Sequence, residues 1–323
     1  MTEPSAATAS LCPHCLRRIP AFRRTRDGAV YLEKACPEHG VLEEVLLWRD
    51  RSKSYDAWSR GRAQPECEAS KLVEDDPVPS FEDSGCPFRC GLCPDHGQRT
   101  CSAILEVTHA CDLACPVCFA ASQADAGDVP DIGRIERMLH TILDRAGACP
   151  LQLSGGEPAL RDDLPRVVAL ARTMGFDHIQ VNTNGLRLGR DADFGRALKA
   201  AGVTDFFLQF DGVTDGVYRA LRGAALLQFK LQAIARCREL KIGVILVPTL
   251  VRGVNDSQIG DIIRFAKKWM PVVKGVHFQP MTFLGRYPRP PRNEDRILIP
   301  DILAAIEEQT GGELKIENFL PSG

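Results

Sequence analysis

Hydrophobic and polar positions follow two alternating patterns from about residue 103 onwards. Short apolar runs, typical of buried strands, alternate with longer segments in which apolar residues recur every three or four positions, as on one face of a helix. The predicted strands are 104–108, 151–153, 178–181, 205–210, 242–247 and 272–278. The predicted helices are 132–145, 164–174, 194–201, 226–240 and 259–269.

Regular alternation of strands and helices predicts right-handed βαβ units and a parallel sheet. A complete eight-stranded barrel typically needs about 250 residues, whereas this region has room for six units. We therefore predict an α/β fold built on a partial (β/α)6 barrel. Binding and catalytic residues of such folds lie at the carboxyl ends of the strands, so the polar residues that follow each predicted strand are the first candidates.

The residues before 103 lack this alternation. Residues 11–48 contain prolines, cysteines and one strand-like run at 29–33. Residues 51–85 are polar and proline-rich, which predicts a partly helical linker.

Composition excludes several classes of protein. Hydrophobic residues make up 44% of the 323 residues and charged residues 25%, which is typical of a globular chain. The formal net charge of −2 gives no reason to expect a nucleic-acid partner. The longest apolar runs are too short to span a bilayer, and the first residues do not form a signal peptide, so we expect a cytoplasmic protein.

Cysteine is the unusual component of this composition. The chain has 13 cysteines, and eleven of them lie in the first 118 residues. Clustered cysteines in a reducing compartment more often bind metal than form disulfides. Two clusters share the spacing C-x3-C-x2-C, and a zinc knuckle or plain buried thiols are the alternatives to an iron–sulfur site. The first cluster is Cys86, Cys90 and Cys93, and the second is Cys111, Cys115 and Cys118.

Two motifs stand at successive predicted strand ends: Cys111-Asp-Leu-Ala-Cys115-Pro-Val-Cys118-Phe119 and Gly155-Gly156-Glu157-Pro158. Together they resemble the radical S-adenosylmethionine (SAM) superfamily over about residues 103–285. The resemblance implies that the three cysteines hold a 4Fe–4S cluster whose open iron binds SAM, and that the glycine-rich turn contacts the SAM ammonium. Further expected contacts at the strand ends are Phe119, Ser154, Asn182, Asn184, Gln209 and Asp211.

A narrower resemblance covers almost the whole chain. Segments such as 85–96 and 177–185 are similar to those of the group that contains tetraether lipid synthases and pterin-methylating radical SAM enzymes. That group also has a branch of radical SAM (seleno)proteins, the TrsS type, whose substrate is not established. The resemblance implies an auxiliary 4Fe–4S cluster at Cys86, Cys90 and Cys93, for which His96 is a candidate fourth ligand.

The amino-terminal residues offer a separate ligand set. Cys12, Cys15, Cys36 and His39 have a spacing that suits one tetrahedral metal ion, with Cys67 as an alternative fourth ligand. Spacing alone favours structural zinc, while the resemblance suggests a rubredoxin-like mononuclear iron. The predicted domains are a metal-binding module (1–50), a linker with the auxiliary cluster segment (51–102), the barrel (103–285) and a carboxy-terminal extension (286–323).

The expected function is radical SAM chemistry. Reductive cleavage of SAM would give a 5′-deoxyadenosyl radical that abstracts hydrogen from an unactivated carbon, and the resemblance implies C–C bond formation or alkylation. The expected partners are a reductant such as ferredoxin or flavodoxin and a small-molecule, lipid or peptide substrate. The alternatives are a TrsS-type protein of unknown substrate, a non-catalytic iron–sulfur electron carrier, and a zinc-binding interaction module.

Other residues are expected to have structural roles. Cys101, Cys149 and Cys237 are predicted to be buried as small apolar side chains. The basic stretch 286–292 is predicted to be a solvated loop. Relatives in the resembling group continue beyond the segment that ends at residue 323, so a short protein, a truncated gene model and a selenocysteine codon read as a stop are three open explanations.

Overall fold

The computed structural model describes residues 6–50, 53–59, 100–125, 127 and 129–321. The amino-terminal residues form an antiparallel sheet in which the central strand β3 pairs with β2, β4 and β5. Asp27 and Gly28 both have positive φ angles, 49° and 70°, and make the tight turn between β2 and β3. The elements are β1 (Ala6–Leu11), β2 (Arg18–Arg26), β3 (Ala29–Cys36), β4 (Gly40–Val41), β5 (Val45–Arg49) and a short helix α1 (Tyr55–Ser59).

A six-stranded parallel sheet forms the centre of the larger part of the chain. Its strands run in the spatial order β12-β10-β9-β8-β7-β6, so β6 and β12 are the two edges of an open, partial barrel. This confirms the predicted fold class. The strands are β6 (Ala103–Thr108), β7 (Leu151–Gly155), β8 (Ile179–Thr183), β9 (Asp205–Gln209), β10 (Gly243–Val247) and β12 (Val273–Val276). A short parallel pair, β11 (Thr249–Leu250) and β13 (Gln279–Pro280), extends two strand ends.

The five predicted helices are present with ends shifted by at most two residues. The sequence pattern missed three more helices. The helices α4 and α6, with five and eight residues, are shorter than the window of about 11 residues in which helical periodicity is recognised, and α9 lies outside the βα rhythm. The helices are α2 (Ile132–Ala146), α3 (Leu164–Thr173), α4 (Leu186–Arg190), α5 (Ala192–Ala201), α6 (Asp215–Arg222), α7 (Leu227–Leu240), α8 (Ile259–Lys268) and α9 (Ile299–Gln309). Among the described residues, no helix combines the length and apolar character needed to cross a membrane.

The main core lies between the outer face of the parallel sheet and the helices. Alternate strand residues such as Leu153, Val181 and Leu208 are fully buried there, as expected when successive side chains point to opposite faces of a sheet. Cys149 and Cys237 are buried, as predicted. The prediction for Cys101 is wrong, because this cysteine is exposed just before the edge strand β6.

The carboxy-terminal segment joins the two sheets. Asn293 accepts a hydrogen bond from the Leu46 backbone N–H (2.8 Å) and donates one to the Glu44 carbonyl (2.8 Å). Asp301 at the start of α9 accepts from Arg49 at 2.6 Å and from Arg252 at 3.0 Å. The small sheet and the barrel are therefore linked through residues that lie almost 250 positions apart in the sequence.

Gly260 in α8 provides a test of how α9 packs against the barrel. A Cβ atom at this position would lie 2.5 Å from the Gln309 carbonyl oxygen, whereas a Cβ at Gly216 in α6 would meet nothing within 4 Å. We expect Gly260→Ala to lower the free energy of unfolding by about 1–3 kcal/mol through overpacking. Gly216→Ala should be neutral or stabilising by up to about 1 kcal/mol. Equal urea midpoints for the two variants would contradict this description of the α8–α9 contact.

Candidate functional site

The cysteine loop Cys111–Cys118 begins directly after β6 and is tied down at both ends. The Cys111 backbone N–H donates to the Gln123 carbonyl at 2.9 Å. At the other end, Cys118 and Arg286 exchange two backbone hydrogen bonds of 2.9 and 2.8 Å, as in an isolated antiparallel bridge. Cys115 is buried, and Cys111 and Cys118 are half-buried. The loop therefore presents three thiols from a fixed backbone.

The three thiols of this loop form a donor set that suits a multi-iron cluster. Each of Cys111, Cys115 and Cys118 can bind a different iron of such a cluster.

Burial makes a free Cys111 thiolate unfavourable. Desolvation, together with the nearby carboxylates of Glu157 and Asp112, raises the pKa of the Cys111 thiol to about 11. A thiol with this pKa keeps its proton at neutral pH unless a metal replaces it. The Cys111 environment thus favours a metal-bound state over a free anion.

The glycine-rich turn after β7 packs against the beginning of the cysteine loop. Gly155 has a φ of 134°, and a Cβ there would lie 1.9 Å from the Thr108 carbonyl oxygen. A Cβ on Gly156 would lie 2.2 Å from the Ala110 carbonyl oxygen. Two backbone hydrogen bonds hold the contact, from Gly156 to Thr108 (2.8 Å) and from Glu157 to Ala110 (2.7 Å). Both glycines are needed because the two backbones touch.

Glu157 is buried, and its carboxylate joins neighbouring strand ends. One oxygen accepts hydrogen bonds from the Thr183 hydroxyl (2.6 Å) and the Ala159 N–H (3.0 Å), and the other accepts from the Asn184 N–H (2.6 Å). Burial raises the pKa of Glu157 to about 7, although these donors act in the opposite direction. The Asn184 side chain also donates to Asp112 in the cysteine loop at 2.7 Å. Glu157 and Asn184 thus link β7, β8 and the loop.

A second buried network lies under the ends of β9 and β10. Asp211 is fully buried and forms a bidentate ion pair with Arg222, with both distances at 2.7 Å. Arg222 also donates to the Val117 carbonyl in the cysteine loop at 3.2 Å. This ion pair therefore connects the sheet to the loop.

Lys230 on α7 completes this network. Its ammonium is fully buried and donates to the Gln209 side-chain oxygen at 2.7 Å and to the Asn184 carbonyl. Gln209 in turn donates to Asp211. Desolvation lowers the pKa of Lys230 to about 8, although Asp211 acts in the opposite direction. Arg222 and Lys230 are not among the predicted site residues, since basic residues on helices usually face solvent and no spacing in the sequence marks these two.

The structure thus brings most of the predicted barrel site residues to one end of the sheet. Glu157, Asn184, Gln209 and Asp211 are connected by the hydrogen bonds described above, while Ser154 and Asn182 are half-buried on β7 and β8. Phe119 is 70% exposed at the edge of the loop. The predicted auxiliary ligands Cys86, Cys90, Cys93 and His96, and the alternative ligand Cys67, lie outside the described residues.

The prediction of a solvated loop at 286–292 is wrong for Arg286. Its guanidinium donates to the Cys115 carbonyl at 2.7 Å and to the Ser122 carbonyl at 2.8 Å, in addition to the backbone bridge with Cys118. The preceding Gly285 has a φ of 65°, and a Cβ there would lie 2.2 Å from the Phe119 carbonyl oxygen. This part of the chain holds the cysteine loop against the barrel.

The amino-terminal ligand set is also assembled. The candidate ligand atoms of Cys12, Cys15, Cys36 and His39 all lie within 4.8 Å of one another. The sulfurs of Cys15 and Cys36 are 3.8 Å apart, and His39 Nδ1 is 3.4 Å from the Cys36 sulfur and 3.7 Å from the Cys12 sulfur. These separations match the edges of a tetrahedral zinc or iron site.

Removing the Arg286 side chain should loosen the cysteine loop. In metal-free protein, we expect Arg286→Ala to speed alkylation of Cys115 by iodoacetamide about tenfold, because two hydrogen bonds to loop carbonyls are lost. Arg289→Ala is the matched control, since Arg289 is exposed and pairs with Asp295. Peptide mapping by mass spectrometry measures each cysteine, with buried Cys237 as the internal reference. Unchanged Cys115 reactivity in Arg286→Ala would contradict this role.

Comparison with known proteins agrees with this geometry. The Radical SAM superfamily model matches residues 105–266, and the HMPTM N-terminal zinc ribbon domain model matches residues 5–49. The chain is 40% identical over 317 residues to 7,8-dihydro-6-hydroxymethylpterin dimethyltransferase of Methanocaldococcus jannaschii, which covers 97% of this chain and 60% of that protein. A probable GTP 3′,8-cyclase of Pyrococcus abyssi is 30% identical over 53% of this chain and 55% of its own length.

Solved structures share the fold at low identity. Streptococcus suis SuiB bound to S-adenosylmethionine has a TM-score of 0.51 at 13% identity over 60% of this chain and 44% of SuiB. Native anSMEcpe with bound AdoMet has a TM-score of 0.51 at 15% identity over 66% of this chain and 64% of that chain. These structures share the fold class predicted from the sequence, and the amino-terminal module matches the zinc ribbon model. Because one family model spans half of the chain, including the cysteine loop and the glycine-rich turn, the chain belongs to the radical SAM superfamily.

Proposed function

We propose that this chain cleaves SAM reductively at a 4Fe–4S cluster held by Cys111, Cys115 and Cys118, and that it uses the resulting radical to alkylate a reduced pterin. The observation that carries the proposal is the contact of the Gly155–Glu157 turn with the start of the cysteine loop. When bound, the cluster would supply the electron that breaks a carbon–sulfur bond of SAM.

The glycine-rich turn supplies acceptors for the SAM ammonium. The Gly156 carbonyl oxygen accepts no hydrogen bond from any residue that the structure describes, and the neighbouring Glu157 carboxylate is held rigidly by three donors. A fixed carbonyl and a carboxylate beside the cluster loop suit a cationic amine. The adjoining strand ends carry a row of polar residues. We propose that this row, with Ser154 and Phe119, contacts the rest of SAM or the substrate bound beside it. The row consists of Asn182, Asn184, Gln209 and Asp211.

The pterin substrate is proposed from the relative in Methanocaldococcus jannaschii. That protein is named for dimethylation of 7,8-dihydro-6-hydroxymethylpterin, and it is 40% identical to this chain. This chain spans about 60% of the length of that relative. The activity of the whole relative is therefore not carried over, and we propose alkylation and C–C bond formation for this chain. A TrsS-type protein of unknown substrate is the second candidate, supported by the narrower sequence resemblance.

Additional metals and partners complete the proposal. We propose a structural zinc ion, or a mononuclear iron, at Cys12, Cys15, Cys36 and His39, and an auxiliary 4Fe–4S cluster at Cys86, Cys90 and Cys93 with His96 as a possible ligand. A ferredoxin or flavodoxin would supply electrons. An iron–sulfur carrier that does not cleave SAM would need neither the buried Glu157 network nor the close glycine turn.

SAM cleavage is tested by anaerobic reconstitution with iron, sulfide, SAM and dithionite. We expect 5′-deoxyadenosine to form with the unsubstituted chain and to fall at least about a hundredfold in Cys115→Ala, because the cluster loses one of three ligands. Cys237→Ala is the matched control, since it also removes a buried thiol but lies on α7 away from the loop. Absence of 5′-deoxyadenosine in the unsubstituted chain would favour the electron-carrier alternative.

The amino-terminal metal is tested with a pair of histidine variants. We expect about one zinc or iron ion per unsubstituted chain at this site. In His39→Ala, the ion should be lost, or its affinity in competition with a chelator should fall at least about tenfold, because one ligand is removed. His14→Ala is the control, since its ring stacks on His39 at 5.0 Å without belonging to the ligand set. Metal analysis by mass spectrometry and thermal unfolding measure the result. Equal metal retention in both variants would exclude His39 as a ligand.

A further inference from the structure

Lys230 occupies a position of α7 where an apolar residue is expected. It lies on the same face of the helix as Ala233, Ile234 and Cys237, which are buried in the main core. The Lys230 side chain is itself fully buried, with 0% exposure. A lysine is almost never fully buried unless a charged partner offsets the loss of hydration. The surroundings of the ammonium should therefore explain its position.

The Lys230 ammonium is hydrogen-bonded to neutral groups. The Gln209 side-chain oxygen accepts at 2.7 Å, and the Asn184 backbone carbonyl is a second acceptor. The Tyr218 ring centroid lies 5.7 Å from the ammonium nitrogen, within the range of a cation–π contact. Among the residues that the structure describes, no carboxylate forms an ion pair with Lys230. The hydrogen bonds are thus satisfied while the charge has no direct counter-ion.

Asp211 does not balance the charge of Lys230. Asp211 is connected to Lys230 through the Gln209 side chain, but its carboxylate forms a bidentate ion pair with another cation. That cation is Arg222, and both distances of the pair are 2.7 Å. The charges of Asp211 and Arg222 offset each other within this pair. The positive charge of Lys230 is therefore additional to a pair that is already neutral.

Glu157 balances the charge of Lys230 only in part. The Asn184 backbone links the two groups, since its N–H donates to Glu157 and its carbonyl accepts from Lys230. Burial raises the pKa of Glu157 to about 7, so about half of these side chains are protonated at pH 7. Desolvation lowers the pKa of Lys230 to about 8, which leaves the ammonium mostly charged at the same pH. The network thus keeps a buried positive charge that its carboxylates do not fully neutralise.

This charge is connected to both ends of the cysteine loop Cys111–Cys118. Asn184, which accepts from Lys230, donates from its own side chain to Asp112 at 2.7 Å. A second route runs from Lys230 through the neutral ion pair to the Val117 carbonyl, which accepts at 3.2 Å. Asp112 and Val117 are the residues immediately inside the two ends of the loop. A charge in such a buried region acts on its neighbours with little screening by salt.

We propose that Lys230 is the buried cation that makes the proposed cluster easier to reduce. Thiolate ligands at Cys111, Cys115 and Cys118 bring negative charge, which increases when the ferredoxin or flavodoxin is oxidised and its electron is added. A positive charge beneath the loop stabilises the reduced form more than the oxidised form and so raises the reduction potential. Because the Lys230 side chain has no exposed surface, it acts through its charge and not by contact with SAM or substrate. This inference rests on the proposed function, since it requires the cluster.

The reduction potential of the reconstituted cluster tests this inference. An anaerobic redox titration at pH 7 without SAM, followed by visible absorbance and electron paramagnetic resonance, gives the ratio of reduced to oxidised cluster. Lys230→Met keeps the length of the side chain and removes its charge. At the midpoint potential of the unsubstituted chain, we expect this ratio to fall about three- to tenfold in Lys230→Met. The lower end applies if Glu157 takes up a proton when the cation is lost.

Two further variants separate a charge effect from a structural one. Asp211→Asn removes a negative charge from the same network with little change of shape, so we expect the ratio of reduced to oxidised cluster to rise. Loosening of the loop would not give shifts of opposite sign in Lys230→Met and Asp211→Asn. Lys199→Met is the matched control, because Lys199 is an exposed lysine on α5 whose charge is screened by water and salt. Its ratio should stay within about twofold of the unsubstituted chain.

The other outcomes overturn the inference and are distinguishable from failure of the proposed function. An unchanged potential in Lys230→Met at equal iron content would show that the charge has no such effect. Shifts of the same sign in Lys230→Met and Asp211→Asn, or loss of the cluster from Lys230→Met, would assign Lys230 a purely structural role. In each of these cases, 5′-deoxyadenosine formation by the unsubstituted chain would leave the proposed function intact. If the unsubstituted chain holds no cluster, the inference and the proposed function are both wrong.

Discussion

The close approach of two backbones organises the site of this protein. The Gly155–Gly156 turn touches the carbonyls of Thr108 and Ala110 so closely that any Cβ would overlap them. Two hydrogen bonds of 2.8 and 2.7 Å close the contact. Because Cys111 follows Ala110 directly, the position of the cysteine loop relative to β7 depends on this contact. The glycines are thus a steric requirement of the site and not simply a flexible turn.

Buried charges then connect the remaining strand ends. Glu157 and Asp211 contribute carboxylates, and Arg222 and Lys230 contribute cations, all in the sheet's carboxyl-terminal end. Burial of each charge alone would be unfavourable, but bidentate geometry and shared partners offset much of the desolvation. Removing one member of such a network typically costs about 3–5 kcal/mol, because the partner is left unpaired. We therefore expect the loss of any one of these four side chains to change the shape of the site.

Segments far apart in the sequence hold the cysteine loop and the zinc ribbon in place. Arg286 reaches the cysteine loop across 171 positions, and Asn293 and Asp301 bind the zinc ribbon to the barrel. The zinc ribbon thus packs on the same carboxy-terminal segment that follows Arg286. The barrel provides strand ends, and the segment after β12 determines how the loop and the ribbon sit against them.

The sequence by itself determined the fold class and predicted the candidate ligand sets, because both depend on local spacing. Period-two and period-3.6 patterns identify βα units, and candidate ligands such as Cys111, Cys115 and Cys118 are close neighbours in the chain. Partners that meet only on folding left no such signal. Asp112 and Asn184 lie 72 positions apart. Arg286 binds backbone carbonyls, and because every residue has one, no residue type in the sequence marks the partners of Arg286. Tertiary structure alone decided which buried cations, strand-end amides and distant loops complete the site.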